Sequence, residues 1–258
     1  VPSNVVVFGH SHVWSFRRAI GLGIPQTEGF TFEAPLCGTK EMPGPIVLRD
    51  LRGRPQLTAT LAALLLRGAS APNLEDTWLL SAVQGNHYNQ MGMLSPDGPF
   101  DFVLEERQDL AGLPGAAMLP TAAVRAALRD TMDEIPDYLK VLGKWRPPAR
   151  TLIAGPPPPG ESEAPFIEAQ ASLATRHPVT AAPVRLKLWH LQNALYRDLC
   201  RQNGMIFVPG DIAGTQDEIG YLKPEYVKDS VHATHEWAML YLQKVAGVIR
   251  ARKEGRNV

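Results

Sequence analysis

The chain has 258 residues, with 26 Lys+Arg against 26 Asp+Glu and 45% hydrophobic content. That is enough apolar material for one full core near the upper end of single-domain size, and it excludes a disordered tail. Balanced charge argues against a nucleic-acid partner, because phosphate binding draws on a basic surplus. Cys37 and Cys200 are too few and too far apart for a disulfide framework or a cysteine-based zinc site. This fits a reducing, cytoplasmic setting, and no basic-then-apolar leader opens the chain; the Val at position 1 leaves a removed leader open. The longest apolar helical stretch, 57–66, is flanked by Arg54 and Arg67 and falls well short of the roughly 20 residues of a membrane span.

In chain order, Asn4 to Phe8 is an unbroken β-branched and aromatic run, suited to a strand buried on both faces. Gly9-His-Ser-His12 follows as a tight turn, and Val13, Trp14, Phe16, Ala19 and Ile20 then recur at helical spacing. Further strands are predicted at Phe30–Ala34, Trp78–Val83, Thr151–Ala154 and Met205–Val208. Helices are predicted at Gln56–Arg67, at Thr121–Trp145 with a break at Pro136, at Val184–Gln202 and at Thr234–Arg252. The alternation implies a single three-layer α/β domain over residues 1–258 with a mainly parallel sheet. The Pro- and Gly-rich stretch from Met91 to Leu119 reads as an insertion able to cover a site. The run Gly155–Gly160 reads as a stiff extended loop.

Ligands of parallel sheets sit beyond the carboxyl ends of the strands. The turns there are Gly9-His-Ser-His12, Leu36-Cys-Gly-Thr39 and Gly85-Asn-His-Tyr-Asn89. Ser11, one residue into a strand-to-helix turn, stands where a nucleophile could stand. A serine hydroxyl needs a base and the base needs an acid to orient it. Asp229-Ser-Val-His232 supplies both, with Asp229 placed at the entry to the last helix so that the two side chains share a face. Donors for a developing oxyanion are then available from the backbone of Ser11 and Gly38 and from the Asn86 amide.

Ser11, Gly38, Asn86 and His232, in this order, resemble the SGNH hydrolase superfamily of GDSL-like esterases along the whole chain. Phe8-Gly-His-Ser-His12 stands in the place of its first block, with His10 where the family usually has Asp. Gly85-Asn86 matches the third block, and Asp229-x-x-His232 the last and most specific one. Gly38 is the weakest match, with Gly44 and Gly53 as alternatives. A Gly-x-Ser-x-Gly after a strand, the mark of α/β-hydrolases, is absent. The resemblance implies a five-stranded parallel sheet in flavodoxin-like order and acyl-ester hydrolysis without a cofactor. The implied catalytic residues are Ser11, Asp229 and His232.

His12, His87 and Tyr88, with Asn89, are expected to flank the substrate pocket, whose polarity suits short acyl esters of small molecules or carbohydrates. His235 is expected to pack behind the site. Other readings stay open on the residues alone. Ser11 and Asp229 are both good helix N-caps, and Asp211 is a spare acid. The cluster of His10, His12, His87, His232 and His235 could hold a metal. An acyltransferase would use the same residues and need a lid. Cys37 reads as a small buried thiol, and Trp189, Tyr196, Trp237 and Tyr241 as core packing. Activity is expected to rise with pH as His232 loses its proton.

Overall fold

The computed structural model describes residues 2–34, 45–59, 61–63, 77–83, 85–95, 97–110, 112–171 and 178–256. Strand β1, Ser3–Gly9, is buried along nearly its whole length because its valines alternate between two cores. Val6 and Phe8 face one and Val5 and Val7 the other. The same holds for β5, Trp78–Ala82, and β8, Thr151–Ala154, whose residues are all buried. Strands covered on both sides lose the polar alternation of a half-exposed sheet, which is why their sequences are continuous apolar runs.

With β2, Phe30–Glu33, and β9, Ile206–Val208, at the edges, these strands form one five-stranded sheet in the order β2-β1-β5-β8-β9. Every pairing within it is parallel. Helices α1, Val13–Leu22, and α7, His235–Lys253, pack on the face carrying Val5 and Val7. Helices α3, Thr121–Thr131, α4, Ile135–Trp145, and α6, Ala182–Gln202, cover the other. The two remaining helices are α2, His87–Gly92, and α5, Ala164–Ala171. The architecture is the three-layer α/β sandwich expected. Pro136 sits in the first turn of α4, where its missing N–H costs nothing.

One expected element is different. The helix read over Gln56–Arg67 begins instead as strand β4, Pro55–Leu57, antiparallel to β3, Val47–Arg49. Leu57 and the neighbouring Ile46 both point into the core, and extended backbone delivers them there. Residues 59 and 61–63 are helical, and 64–67 lie outside the described residues. So do Cys37, Gly38 and Gly44.

The stretch 91–119 is anchored rather than loose in its described part. Strands β6, Phe100–Asp101, and β7, Ala117–Met118, pair in parallel, and Leu104 and Leu110 enter the core. Asp101 is fully buried. One oxygen takes the Lys187 ammonium of α6 at 2.9 Å and the Phe102 N–H at 2.7 Å, and the other takes the Leu113 N–H at 2.9 Å. The proline run is likewise buried with its carbonyls engaged: Pro156 accepts from the Trp189 indole, Pro157 from the Tyr88 hydroxyl and Pro159 from the Leu222 N–H.

A buried ion pair that loses one partner leaves an uncompensated charge, which costs about 3–5 kcal/mol. Lys187→Met should destabilise the chain by that amount in urea unfolding at unchanged m-value. Adding Asp101→Asn should recover part of the loss, because no buried charge then remains unpaired.

Candidate active site

β1 and β5 end level, with Gly9 opposite Ala82. A Cβ on Gly9 would lie 2.4 Å from the Ala82 carbonyl oxygen, so the close approach requires glycine. The turns leaving these strands therefore start side by side. Ser11, His10 and His12 from the first, and Gly85, Asn86 and His87 from the second, line one cavity of about 320 Å³. Its far wall holds Gln90, Thr131, Asp133 and Glu134. The sequence did not single these four out, although the helix break before Pro136 marks where Asp133 and Glu134 turn towards the site.

The Asp229–His232 pair forms, but not in a helix. The last helix starts at His235, after Thr234 as its N-cap. Residues 227–233 instead form a tight loop closed by a Val227–Ala233 bridge and by the Lys228 N–H on the His232 carbonyl at 2.9 Å. Asp229 holds this loop from inside. Its Oδ1 accepts the Val231 and His232 N–H groups, each at 2.9 Å, and both carboxylate oxygens stand 2.9 Å from His232 Nδ1. Burial alone would raise the Asp229 carboxyl. The bond from the imidazole and the two backbone N–H groups outweigh it and hold the carboxyl at about 2. The other ring nitrogen, His232 Nε2, is buried and makes no hydrogen bond among the described residues.

Helix α1 is fastened to this loop, since the Ser15 hydroxyl donates to the Ala233 carbonyl at 2.8 Å. Packing of Phe16 on Tyr241, with ring centroids 5.5 Å apart, joins α1 to α7 below it. The segment that carries Ser11 is thus tied to the loop that carries His232 through Ser15 and Phe16 of α1, while Ser11 itself makes no hydrogen bond to His232 Nε2.

His12, expected to meet substrate, lies between members of the site. Its Nε2 stands 2.6 Å from Asn86 Nδ2, and its ring meets the His232 ring edge-on with centroids 5.0 Å apart. Asn86 Nδ2 also donates to the Val231 carbonyl at 3.1 Å, so it is the donor on both sides and His12 accepts as a neutral imidazole protonated on Nδ1. Burial, helped by the nearby His232, pushes His12 down to about 4, in keeping with that role. Burial lowers His10 as well.

Three expectations, for Tyr88, Asn89 and His235, need correction. Tyr88 does not line the cavity: it is buried in the core, with its hydroxyl on the Pro157 carbonyl at 3.3 Å, because helix α2 turns it inward. Asn89 is buried beside it. His87 does line the cavity, although little of it reaches solvent. His235 pairs with Glu236 at 3.1 Å on an outer groove, and Asp211 pairs with Lys244 at 2.7 Å. Among the described residues no three His, Cys, Asp or Glu side chains are grouped so as to hold a metal ion. No helix among them is long and apolar enough to cross a membrane.

The Asp229 carboxyl lies below its ordinary value of 3.8, so the stability it contributes is complete above about pH 4 and is lost as pH falls through about 2. The stability difference between wild type and Asp229→Asn, followed by thermal unfolding, should therefore be largest near pH 5 and shrink towards about pH 2.

No protein-family profile and no curated protein matches the chain. Solved structures similar to it include a GDSL-like lipase from Bacteroides thetaiotaomicron, with 15% identity over 98% of this chain and 88% of that one, at a TM-score of 0.43. A carbohydrate acetylesterase from Sinorhizobium meliloti has 15% identity over 97% and 99%, at 0.47. The periplasmic domain of a lipopolysaccharide acetyltransferase from Salmonella ser. Paratyphi A has 13% identity over 97% and 84%, at 0.47.

Proposed function

We propose that the chain is a serine ester hydrolase of the SGNH type, with Ser11 as nucleophile, His232 as general base and Asp229 as the acid that orients it. The observation that carries this reading is the Asp229–His232 pair. Both carboxylate oxygens lie 2.9 Å from Nδ1, and Nε2 is left buried and without a partner among the described residues. An imidazole held at Nδ1 in that way presents Nε2 as an acceptor, the arrangement a general base needs.

In the proposed reaction, His232 Nε2 accepts the Ser11 hydroxyl proton as the oxygen attacks the ester carbonyl. The imidazolium so formed faces the Asp229 carboxylate and then protonates the departing alcohol. Water, activated by the same nitrogen, releases the acyl group and restores Ser11. The negative oxygen of each tetrahedral intermediate is held by the Ser11 N–H, the Gly38 N–H and the Asn86 amide, and loss of one such donor costs about 3 kcal/mol of barrier lowering. Asn86 Nδ2 currently donates to His12 and to Val231, so it turns one N–H from a neutral acceptor to the oxyanion as charge develops. No cofactor enters this scheme. The cavity of about 320 Å³, with His10, His87, Gln90 and Thr131 around it, suits a short acyl group on a polar alcohol such as a sugar.

Ser11→Ala should lower kcat on a short aryl ester by on the order of 10⁴-fold or more, as for the nucleophile of a comparable triad. A fluorophosphonate should add its mass to the peptide containing Ser11. Full activity in Ser11→Ala together with no adduct on Ser11 would sink the proposal.

A further inference from the structure

Gln192 lies at the middle of α6, is fully buried, and belongs to no motif that the sequence singled out. Both ends of its amide are directed at the turn carrying Asn86. Oε1 accepts the Tyr88 N–H at 2.6 Å, and Nε2 donates to the Gly85 carbonyl at 2.6 Å. Those two backbone groups bracket Asn86, one residue before it and two after. Neither has a partner from regular structure: Tyr88 is the second residue of α2, where helical N–H groups lack an intrahelical acceptor, and Gly85 precedes the helix.

The backbone of Asn86 itself, at φ −113 and ψ 36, is neither helical nor extended, so no repeating hydrogen-bond pattern fixes it. Its carbonyl takes the Asn89 N–H at 3.1 Å, and the planar amide of Gln192 spans the turn by holding the groups on either side. The clamp is rigid at its other end as well, because α6 is anchored by Trp189 on Pro156 and by Arg185, whose guanidinium donates to the Thr180, Gly160, Glu161 and Ser162 carbonyls.

We propose that Gln192 is a positioning residue for the reaction: by holding the Gly85 carbonyl and the Tyr88 N–H, it sets where the Asn86 amide stands when the oxyanion forms. This rests on the reading of Asn86 as an oxyanion donor. A purely structural role for Gln192 would stabilise the fold without acting through Asn86, and a double-mutant cycle separates the two.

The cycle compares wild type, Asn86→Ala, Gln192→Met and the double variant on a short aryl ester, with unfolding followed in parallel. Gln192→Met should lower kcat by about 10- to 100-fold, the range a displaced catalytic group produces, with KM changed less than about twofold. In the Asn86→Ala background the same substitution should change kcat by less than about twofold, because the group it positions is gone. Where Gln192→Met does not fold, Gln192→Asn serves in the same cycle, since its shorter side chain keeps an amide in the core but cannot reach both the Tyr88 N–H and the Gly85 carbonyl.

A full loss of kcat from the Gln192 change in both backgrounds overturns the positioning role and leaves Asn86 as an oxyanion donor untouched. An unchanged kcat in the single Gln192 variant also overturns it. If Asn86→Ala alone leaves kcat unchanged, the oxyanion reading itself fails, and this inference with it.

Discussion

Parallel pairing of β1 with β5 continues to their last residues, Gly9 against Ala82, and the chemistry of the chain depends on those two strands ending level. Each strand hands its chain to a turn at the same height, so residues 75 positions apart in sequence, Ser11 and Asn86, line one cavity. The contact that allows this is steric. A side chain at position 9 would occupy the space of the Ala82 carbonyl, and moving either strand to relieve it would slide one turn past the other. A one-residue slip would also exchange the two faces of β1, sending Val6 and Phe8 to the side of Val5 and Val7. The apolar pattern and the site geometry therefore specify the same register.

Helix α6 provides the second constraint. It buries Arg185, Lys187, Gln192 and Asn193 along with its apolar residues, which is expensive for polar groups unless they are paired. Two of them satisfy loop backbone, Arg185 at the carbonyls of 160–162 and 180 and Gln192 at the Asn86 turn, while Lys187 pairs with the Asp101 carboxylate of β6. Loops have few neighbours of their own, and a buried side chain that satisfies their backbone polar groups replaces the regular ladder they lack. Anchoring through Asp101 also makes the 91–119 stretch part of the scaffold over its described residues.

The central strands were legible in the sequence because strands buried on both faces need continuous apolar runs, and β1, β5 and β8 have them. The helix read from Gln56 was not, because Leu57 pairs with Val47 across a hairpin whose pairing is set by tertiary contact. Asp229 and His232 were legible as a pair through their spacing, yet the spacing suggested a helical face where the chain instead makes a loop around the Asp229 carboxylate. A separation of three residues is compatible with both, and only the N–H groups of Val231 and His232 decide between them. Tyr88 looked like a pocket residue because its neighbours are polar, and its inward direction follows from the start of α2. The clamp by Gln192 has no sequence signature, since it joins positions about a hundred residues apart.

His12 and His232 are in ring contact at the site, and their surroundings differ. His12 and His232 have ring centroids 5.0 Å apart, and two imidazolium ions at that distance would repel strongly in a partly buried site. The environment of His12 keeps that ring neutral. His12 is half-buried and receives the Asn86 N–H on Nε2, an interaction available only to the neutral ring. His232 faces a carboxylate held ionised down to about pH 2 by two backbone N–H groups and by His232 itself. In the proposed reaction the Ser11 proton goes to His232, and a neutral His12 keeps both its hold on Asn86 and the room for that charge. In the proposed site, a neutral His12 beside His232 is how a base and an orienting group stand side by side.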